Sequence, residues 1–482
     1  MIIRRRCLVF VFSVLMLVKI DIARAGSIGF SLIDSSNPSG DTMVTVLDDD
    51  TGKPVSGAAV SVGIIGETAQ NPVPSAITDN QGQIHFPRPL AGNQRLSVMV
   101  TKDGYASLAV LGVQAPQMVA QLKSLPAQTQ AVASGTLEGF ARRRGGSLNV
   151  GLVIPVLSAS NLVDFDVNQF VSPLTDTIDV NGAKKIPSNL VLPDQDVGFL
   201  FWNFHFNKPT YRLPVQPGRD VMLMGVQAEA SAFDLITVGN HHGSSGVAML
   251  NKLNFKRVGT APAVTPQGDF ESNVFMTESL APKHQISVSV PPFPSDVVVG
   301  AVTDLSGDRN QMVLTDLKTA INASSPNAVH PVNLSAPTLK LGTDDALSVA
   351  FTDKGRRFSG IVSENIGSRA SPGAFLNVDL LVDNQPLPAS VTLHAPAQGV
   401  AAVVLTDKRS DGTVFPSGYV YALPCAGDVE FPLQKIAQGH TLHDYSLVQL
   451  EFGTSFNEIA IDGNRVMKSL SRFTRTSANI TP

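Results

Sequence analysis

Cysteine is scarce in this chain: Cys7 and Cys425 are the two in 482 residues. Cys7 falls in an N-terminal stretch that reads as a leader, so a processed chain keeps Cys425 alone and forms no internal disulfide. A large secreted eukaryotic protein usually carries several disulfides, and their lack points to a bacterial exported protein. Stability must then come from buried apolar area, which a composition of 43% hydrophobic residues can supply. Basic charge is also in short supply. Loss of residues 1–25 removes five of the 36 basic and one of the 40 acidic residues, taking the net charge from −4 to −8. A nucleic-acid partner needs a basic face, so that class is set aside.

Catalytic motifs are missing as well. No H-E-x-x-H occurs, and no histidine is followed three residues later by glutamate. Gly243-Ser244-Ser245-Gly246 is not a nucleophile elbow, because Val247 stands where the closing glycine belongs. Phosphate-cradling and dinucleotide-binding glycine patterns do not appear. Helical periodicity is rare too: proline and glycine recur every few residues, and the apolar runs between them are short and rich in Val, Leu and Phe. The expected class is all-β.

What the chain does contain begins with Arg4-Arg5-Arg6, an apolar stretch from Leu8 to Val18, and Ala23-Arg24-Ala25. These are the three parts of a secretory signal peptide over residues 1–25, with cleavage before Gly26. The apolar stretch is too short for a comfortable membrane crossing, so no transmembrane segment is expected in the mature chain.

From Val44 to Ser107 short two-residue alternations are closed by turn chemistry. Val44 and Val46 face one way, Thr45 and Leu47 the other, and Asp48 to Gly52 turns the chain before Pro54. Thr78-Asp79-Asn80-Gln81-Gly82 reads as a hairpin loop with Gly82 in the left-handed region. Leu96, Val98 and Val100 form a further inward row, ended by Lys102-Asp103-Gly104 and Tyr105. The G-K-P-V-S-G-A-A-V run (Gly52 to Val60), the Thr78–Gly82 hairpin and Gly104-Tyr105 resemble the carboxypeptidase regulatory-like family, over about residues 42–124. The resemblance implies a small transthyretin-like β-sandwich of the carbohydrate-binding-like group. It implies no peptidase activity, since the zinc signature is missing and such modules are attached to many unrelated proteins.

The expected organisation is a sandwich over 26–125, a linker over 126–138 and a β-rich repeat region over 139–482, with a division near 291–295. Phe199 to Phe206 reads as one strand, buried on the row Leu200, Trp202, Phe204 and Phe206. A weak repeat organises the rest. Asp220 to Gln227, Asp296 to Thr303, Asp345 to Thr352 and Gly399 to Thr406 align without gaps, and the last three run on into Asp304, Asp353 and Asp407. Each copy follows a shorter alternating pair: Leu213/Val215, Val288/Val290, Leu339/Leu341 and Val391/Leu393. The six-residue apolar runs require cover on both faces, and the Thr-Asp pairs are expected in the turn that follows. A period near 50 residues fits propeller blades, with tandem Ig-like sandwiches as the alternative.

Candidate chemistry is thin. His241-His242 and His440/His443/Asp444 hold imidazoles near one another, as a zinc site would need, but without the remaining ligands. Asp407/Asp411 and Asp48-Asp49-Asp50 carry oxygens for calcium, although Lys408 and Arg409 oppose a cation and the triple aspartate is accounted for as a turn. Cys425, between Leu423-Pro424 and Ala426-Gly427, reads as a small buried hydrophobe. No catalytic, metal or cofactor residue is assigned. The expected function is a non-catalytic binding, adhesion or scaffold protein of the bacterial envelope, periplasmic, surface-held or secreted, with a glycan or envelope protein as ligand. The alternative is an exported hydrolase of glycosidase type, with Glu229, Glu271, Glu278 and Glu364 as its carboxylates.

Overall fold

A computed structural model describes residues 28–34, 41–65, 75–86, 95–126, 131–143, 146–156, 163, 175–179, 183–199, 202–215, 217, 220–231, 253–281, 283–290, 297–304, 311–320, 330–337, 347–353, 357–363, 369–370, 381–409, 414–437, 440–453 and 456–481. The leader at 1–25, the division near 291–295, Leu339/Leu341, Asp345, Glu364, Asp411 and His241-His242 lie outside these residues.

The first 125 residues supply β1 (Phe30–Ile33), β2 (Thr42–Asp48), β3 (Ala59–Ile64), β4 (Ser75–Ile77), β5 (Gln83–Phe86), β6 (Leu96–Thr101), β7 (Ser107–Val113) and β8 (Gln117–Leu122). A middle stretch supplies β9 (Ala131–Glu138), β10 (Ser147–Pro155), β11 (Thr175–Asp179), β12 (Ala183–Pro187), β13 (Leu190–Phe199), β14 (Trp202–Lys208), β15 (Thr210–Val215), β16 (Leu223–Ser231), β17 (Asn254–Thr260), β18 (Phe270–Glu271), β19 (Val274–Phe275) and β20 (Glu278–Ser279). Next come β21 (Lys283–Val290), β22 (Val297–Asp304), β23 (Met312–Ala320), β24 (His330–Pro337), β25 (Leu347–Asp353), β26 (Arg357–Ser363) and β27 (Arg369–Ala370). The last are β28 (Ser390–Leu393), β29 (Gly399–Lys408), β30 (Val414–Ala422), β31 (Val429–Pro432), β32 (Leu442–Phe452) and β33 (Leu470–Asn479). The protein is all-β. No helix among the described residues is long and apolar enough to cross a membrane.

The largest sheet has twelve strands in the order β23-β22-β25-β26-β33-β32-β29-β30-β7-β6-β3-β4. A four-stranded sheet, β1-β8-β2-β5, covers one face of its β29–β3 end, and the short β28-β31 pair covers part of the other. A six-stranded sheet, β14-β13-β10-β16-β17-β20, packs on β9 and β15 through one face and on β23 through the other. These are stacked sheets, which corrects the propeller reading: β22 and β25 are hydrogen-bonded neighbours in one sheet, whereas blade-equivalent strands would lie in separate ones. The sandwich alternative fits.

The aligned segments nevertheless share a local role. β16, β22, β25 and β29 each open an antiparallel hairpin with the next strand, β17, β23, β26 and β30. Where the preceding strand is described, it lies in a different sheet: β15 before β16, β21 before β22 and β28 before β29. The shared pattern therefore encodes a step from one layer to the other. Cover on both faces follows, since β29 is buried from Gly399 to Asp407 and β16 from Leu223 to Ala230.

In the first 125 residues the alternation is realised. Thr42, Val44 and Val46 point inward from β2, as do Leu96, Val98 and Val100 from β6. The Asp79 carboxylate accepts the amide protons of Gln81 (2.8 Å) and Gln83 (2.9 Å), which sets the hairpin. Gly82 then holds φ +70°, and a Cβ there would meet the Val46 carbonyl oxygen at 2.4 Å.

Three expectations need correction. Residues 131–138, expected as linker, form β9, antiparallel to β15 and parallel to β18 and β19. Its small residues serve close packing: a Cβ on Gly135 would stand 2.1 Å from the Ser272 carbonyl oxygen. The segment at 199–206 is a hairpin and not one strand, because Phe199 pairs with Trp202 across β13 and β14. Phe206 is buried, while Asn203 and His205 face solvent. Finally, the 26–125 unit does not own its core. β7 pairs in parallel with β30, Ser107 opposite Gly418 through Leu111 opposite Ala422. Its apolar cluster is shared with Val400, Val404, Tyr421, Leu450, Met467 and Phe473.

Candidate functional site

The polar residues that end the apolar runs are where chemistry is to be sought first. Thr303-Asp304 and Thr406-Asp407, expected in turns, sit inside β22 and β29 and are buried. Gln227, at the corresponding place in β16, is fully buried. Each hairpin shifts register nearby, at Gln227/Ala228, Ala301/Val302 and Leu405/Thr406. Such irregularities re-aim side chains and bend the strand, which keeps these polar groups inside the layers. A buried polar group without a partner costs about 1–3 kcal/mol, so each must be matched.

The matching is most complete around Asp407. Ser417 Oγ donates to Asp407 Oδ1 at 2.9 Å, and His440 Nδ1 stands 2.9 Å from Asp407 Oδ2. The hydrogen bond from Asp407 raises the His440 pKa above its ordinary value, against a smaller opposing effect of burial. Serine, histidine and aspartate meet here, but in the wrong order for acyl transfer. A nucleophilic serine gives its proton to the imidazole, whereas Ser417 is bonded to the aspartate and is 1% exposed. The arrangement clamps β29 to β30 and to the segment that leads into β32.

Gln227 is held differently. Its amide NH2 donates to Asn149 Oδ1 at 2.9 Å, and its Oε1 accepts the Ala141 N–H at 2.7 Å. Asn149 exchanges bonds with Gln195 in turn: its N–H reaches Gln195 Oε1 at 2.9 Å, and its carbonyl accepts from Gln195 Nε2 at 2.7 Å. This amide network pins the segment after β9 onto the six-stranded sheet. Nothing in the local sequence of Asn149 or Gln195 announces it.

The remaining candidates do not converge. His443 Nδ1 turns to Asp444 Oδ2 at 3.0 Å while His440 turns to Asp407, so the pair faces separate acids. No group of three metal-binding side chains occurs among the described residues. The oxygens of the Asp48–Asp50 run are engaged in a turn, as expected. Asp48 Oδ1 accepts from Thr51 N–H and Oγ1, both at 2.7 Å, Asp48 Oδ2 from the Tyr105 hydroxyl at 3.0 Å, and Asp50 Oδ2 from Ser124 at 2.8 Å. Burial, first, and the Asp48 contacts raise the Tyr105 pKa. Glu229 is buried and paired with Lys256 at 3.2 Å, whereas Glu271 and Glu278 are exposed on β18 and β20. Cys425 is buried as expected: its thiol donates to the Gly112 carbonyl at 2.8 Å, and desolvation, with Glu458 nearby, pushes its pKa up to about 11. A thiol so held is no nucleophile at neutral pH.

One feature has no signal in the sequence. β1 lies between β8 on one side and residues 461–463 on the other. It pairs antiparallel with β8 from Phe30 opposite Ala120 to Ile33 opposite Gln117. Across the other edge Leu32 N–H donates to Ile461 O at 2.7 Å, Ile28 N–H to Gly463 O at 3.3 Å, and Gly463 N–H to Ser31 Oγ at 2.9 Å.

No family model and no curated protein matches the chain. Among solved structures, the shaft pilin SpaA of Lactobacillus rhamnosus GG aligns at 9% identity over 49% of this chain and 98% of its own, with a TM-score of 0.15. The fimbrial anchor protein Mfa2 of Porphyromonas gingivalis aligns at 10% identity over 50% of this chain and 91% of its own, with a TM-score of 0.15. The major pilin subunit BcpA of Bacillus cereus aligns at 8% identity over 69% of this chain and 97% of its own, with a TM-score of 0.13. Scores this low carry no argument.

Proposed function

We propose that this is an exported, non-catalytic scaffold or adhesion protein of the bacterial envelope, and that its ligand is an envelope protein. The observation that carries the reading is the inward use of its chemistry. Asp407, Ser417, Gln227, Asn149 and Glu229, the polar groups that end or interrupt the apolar strands, are bonded to one another or to neighbouring strands inside the sandwich layers. Outward lie sheet edge and scattered apolar side chains, such as Ile77 on the outermost strand β4 at 68% exposure, together with solvent-exposed ion pairs such as His394 with Asp428. Strand edges of this kind recognise other polypeptides by backbone pairing. The leader-like N-terminus supports export with Gly26 as the first mature residue. The inward rows of β2 and β6 and the Gly82 hairpin support the carboxypeptidase regulatory-like reading of residues 42–124.

The test is co-sedimentation of the mature protein with isolated envelope fragments, either untreated, protease-treated or glycosidase-treated. Saturable binding abolished by protease and kept after glycosidase is expected. Loss with glycosidase alone would transfer the ligand to a glycan. Release of reducing sugar from envelope or model glycosides would overturn the non-catalytic reading.

A further inference from the structure

At the end of β29 a cluster of ionisable groups coincides with a strand irregularity. β29 and β32 keep register as far as Thr406 opposite Asp444, then slip, so that Asp407 stands opposite Leu442 and His443 is the extra residue of a bulge. The bulge is tied from two sides. On the β29 side His440, three residues ahead of it, reaches Asp407. On the β33 side the His443 carbonyl accepts the Ile480 N–H at 2.8 Å.

The end of β33 depends on that second tie. β26 accompanies β33 only as far as Thr476. Beyond it, segment 383–385 takes over: Asn384 N–H donates to Asn479 O at 2.9 Å, Thr481 N–H to Gln385 O at 3.1 Å, and Asn479 N–H to Asp383 Oδ1 at 3.1 Å. Segment 383–385 is itself poised. Asn384 holds φ +57°, the one non-glycine residue at positive φ among the described residues, and Val382 before it is 63% exposed. A backbone in that region persists when its surroundings hold it there.

We propose that the bulge is a pH-sensitive latch: with His440 charged it holds residues 479–481, and through them 383–385, on the sheet, and with His440 neutral it lets both fray. The charges around the latch set its direction. Asp407 faces His440 from β29, β30 offers the uncharged Ser417 to the same carboxylate, and Asp444 faces His443. Of the cations near these residues in sequence, Lys408 and Lys435 are exposed, and Arg409 lies over the Phe415 ring at 5.0 Å. The hydrogen bond from Asp407 raises the His440 pKa, against the opposing effect of burial. A charge-assisted bond is about twice as strong as a neutral one. The tie is therefore complete below the unfolded value of about 6.5 and weakens as pH rises through the folded one. A neutral imidazole still donates to Asp407, so the sheet stays folded while its end loosens. The latch goes beyond the scaffold reading and does not rest on it.

The experiment is hydrogen exchange of the whole protein by mass spectrometry between pH 5.5 and pH 9, each amide corrected for its intrinsic rate. Protection at Asn384, Ile480 and Thr481 is expected to be high at pH 5.5 and to fall several-fold with rising pH, while the amides of β6 stay protected. In Asp407→Asn, which keeps an acceptor and loses the charge, the three amides should be weakly protected at every pH. Flat protection in the native chain overturns the latch, as does a fall that Asp407→Asn reproduces. A parallel loss on β6 would mean global unfolding and overturn it too. Exchange of the imidazole Cε1 hydrogen titrates His440 in the same samples and needs no variant. Coincidence of the amide and His440 midpoints supports the latch even where Asp407→Asn fails to fold, and separate midpoints overturn it.

Discussion

Single residues show how the same symbol in the sequence acquires different weight in the fold. Gly82 and Gly104 both hold positive φ, at +70° and +82°. A Cβ added at Gly104 would have no atom within 4 Å, whereas at Gly82 it would meet the Val46 carbonyl oxygen at 2.4 Å. Gly104→Ala should therefore cost only the left-handed penalty, about 1–2 kcal/mol. Gly82→Ala should cost more, because the β2–β5 pairing must also shift; thermal unfolding of the two variants side by side gives the comparison. His440 offers a pH test. Its folded pKa is raised, so its contribution is complete below the unfolded value of about 6.5 and fades as pH climbs through the folded one. His440→Asn should lower the melting temperature at pH 5.5 and do so progressively less toward pH 9. An equal deficit at both ends would mean that packing, not charge, is what His440 supplies. Cys425 should resist iodoacetamide at pH 8 in the native protein and react on denaturation, as read by mass. The burial of Cys425 is legible from its apolar neighbours. The partner of His440 is not, since Asp407 lies on β29, 33 residues earlier, and only the fold brings the two within 2.9 Å.

Among the elements, strands with simple alternation are legible in the sequence and strands with glycine-rich or small-residue faces are not. β2 and β6 announce themselves because each buries every second residue. β9 reads as linker because its packing depends on the absence of side chains. Leu137 on that strand fills notches above Gly151 and Gly225, where added Cβ atoms would meet its methyls at 2.4 and 2.3 Å. Leu137→Ala should leave that notch empty and cost about 2–5 kcal/mol. Gly225→Val should be as harmful for the opposite reason, by overpacking. The aligned apolar runs are the two-face-buried strands that their composition requires, but their common turn comes later than the Thr-Asp pairs suggest. The strand β29 continues through Thr406 and Asp407 to Lys408, with both polar residues inside. Thr406→Ala is accordingly expected to be destabilising and not neutral, though less so than Leu405→Ala at about 2–5 kcal/mol. A denaturant melt of the two variants orders them.

The molecule as a whole departs most from what its sequence displays, because its sheets join segments that are remote along the chain. The first 125 residues look self-contained, yet β7 is paired to β30 and their apolar cluster is completed by residues 400–473. A fragment of residues 26–125 should therefore lack a cooperative thermal transition by circular dichroism, and mixing it with residues 381–482 during refolding should restore one. Independent melting of the short fragment would contradict the shared core. Sequence patterns report local periodicity, and neither the β7–β30 pairing nor the groove for β1 has a local sign. The bond from Gly463 N–H to Ser31 Oγ spans 432 residues, and the one from the Cys425 thiol to the Gly112 carbonyl spans 313. Contacts of such separation are slow to form, since the loop they close must be ordered first. A chain synthesised from its N-terminus can pair the β1-β8-β2-β5 sheet early, but it cannot complete the core beneath that sheet until residues 400–473 have been made. Until then the inward rows of β2, β6 and β8 lack part of their cover, so the first part of the chain locks only when the last part is present.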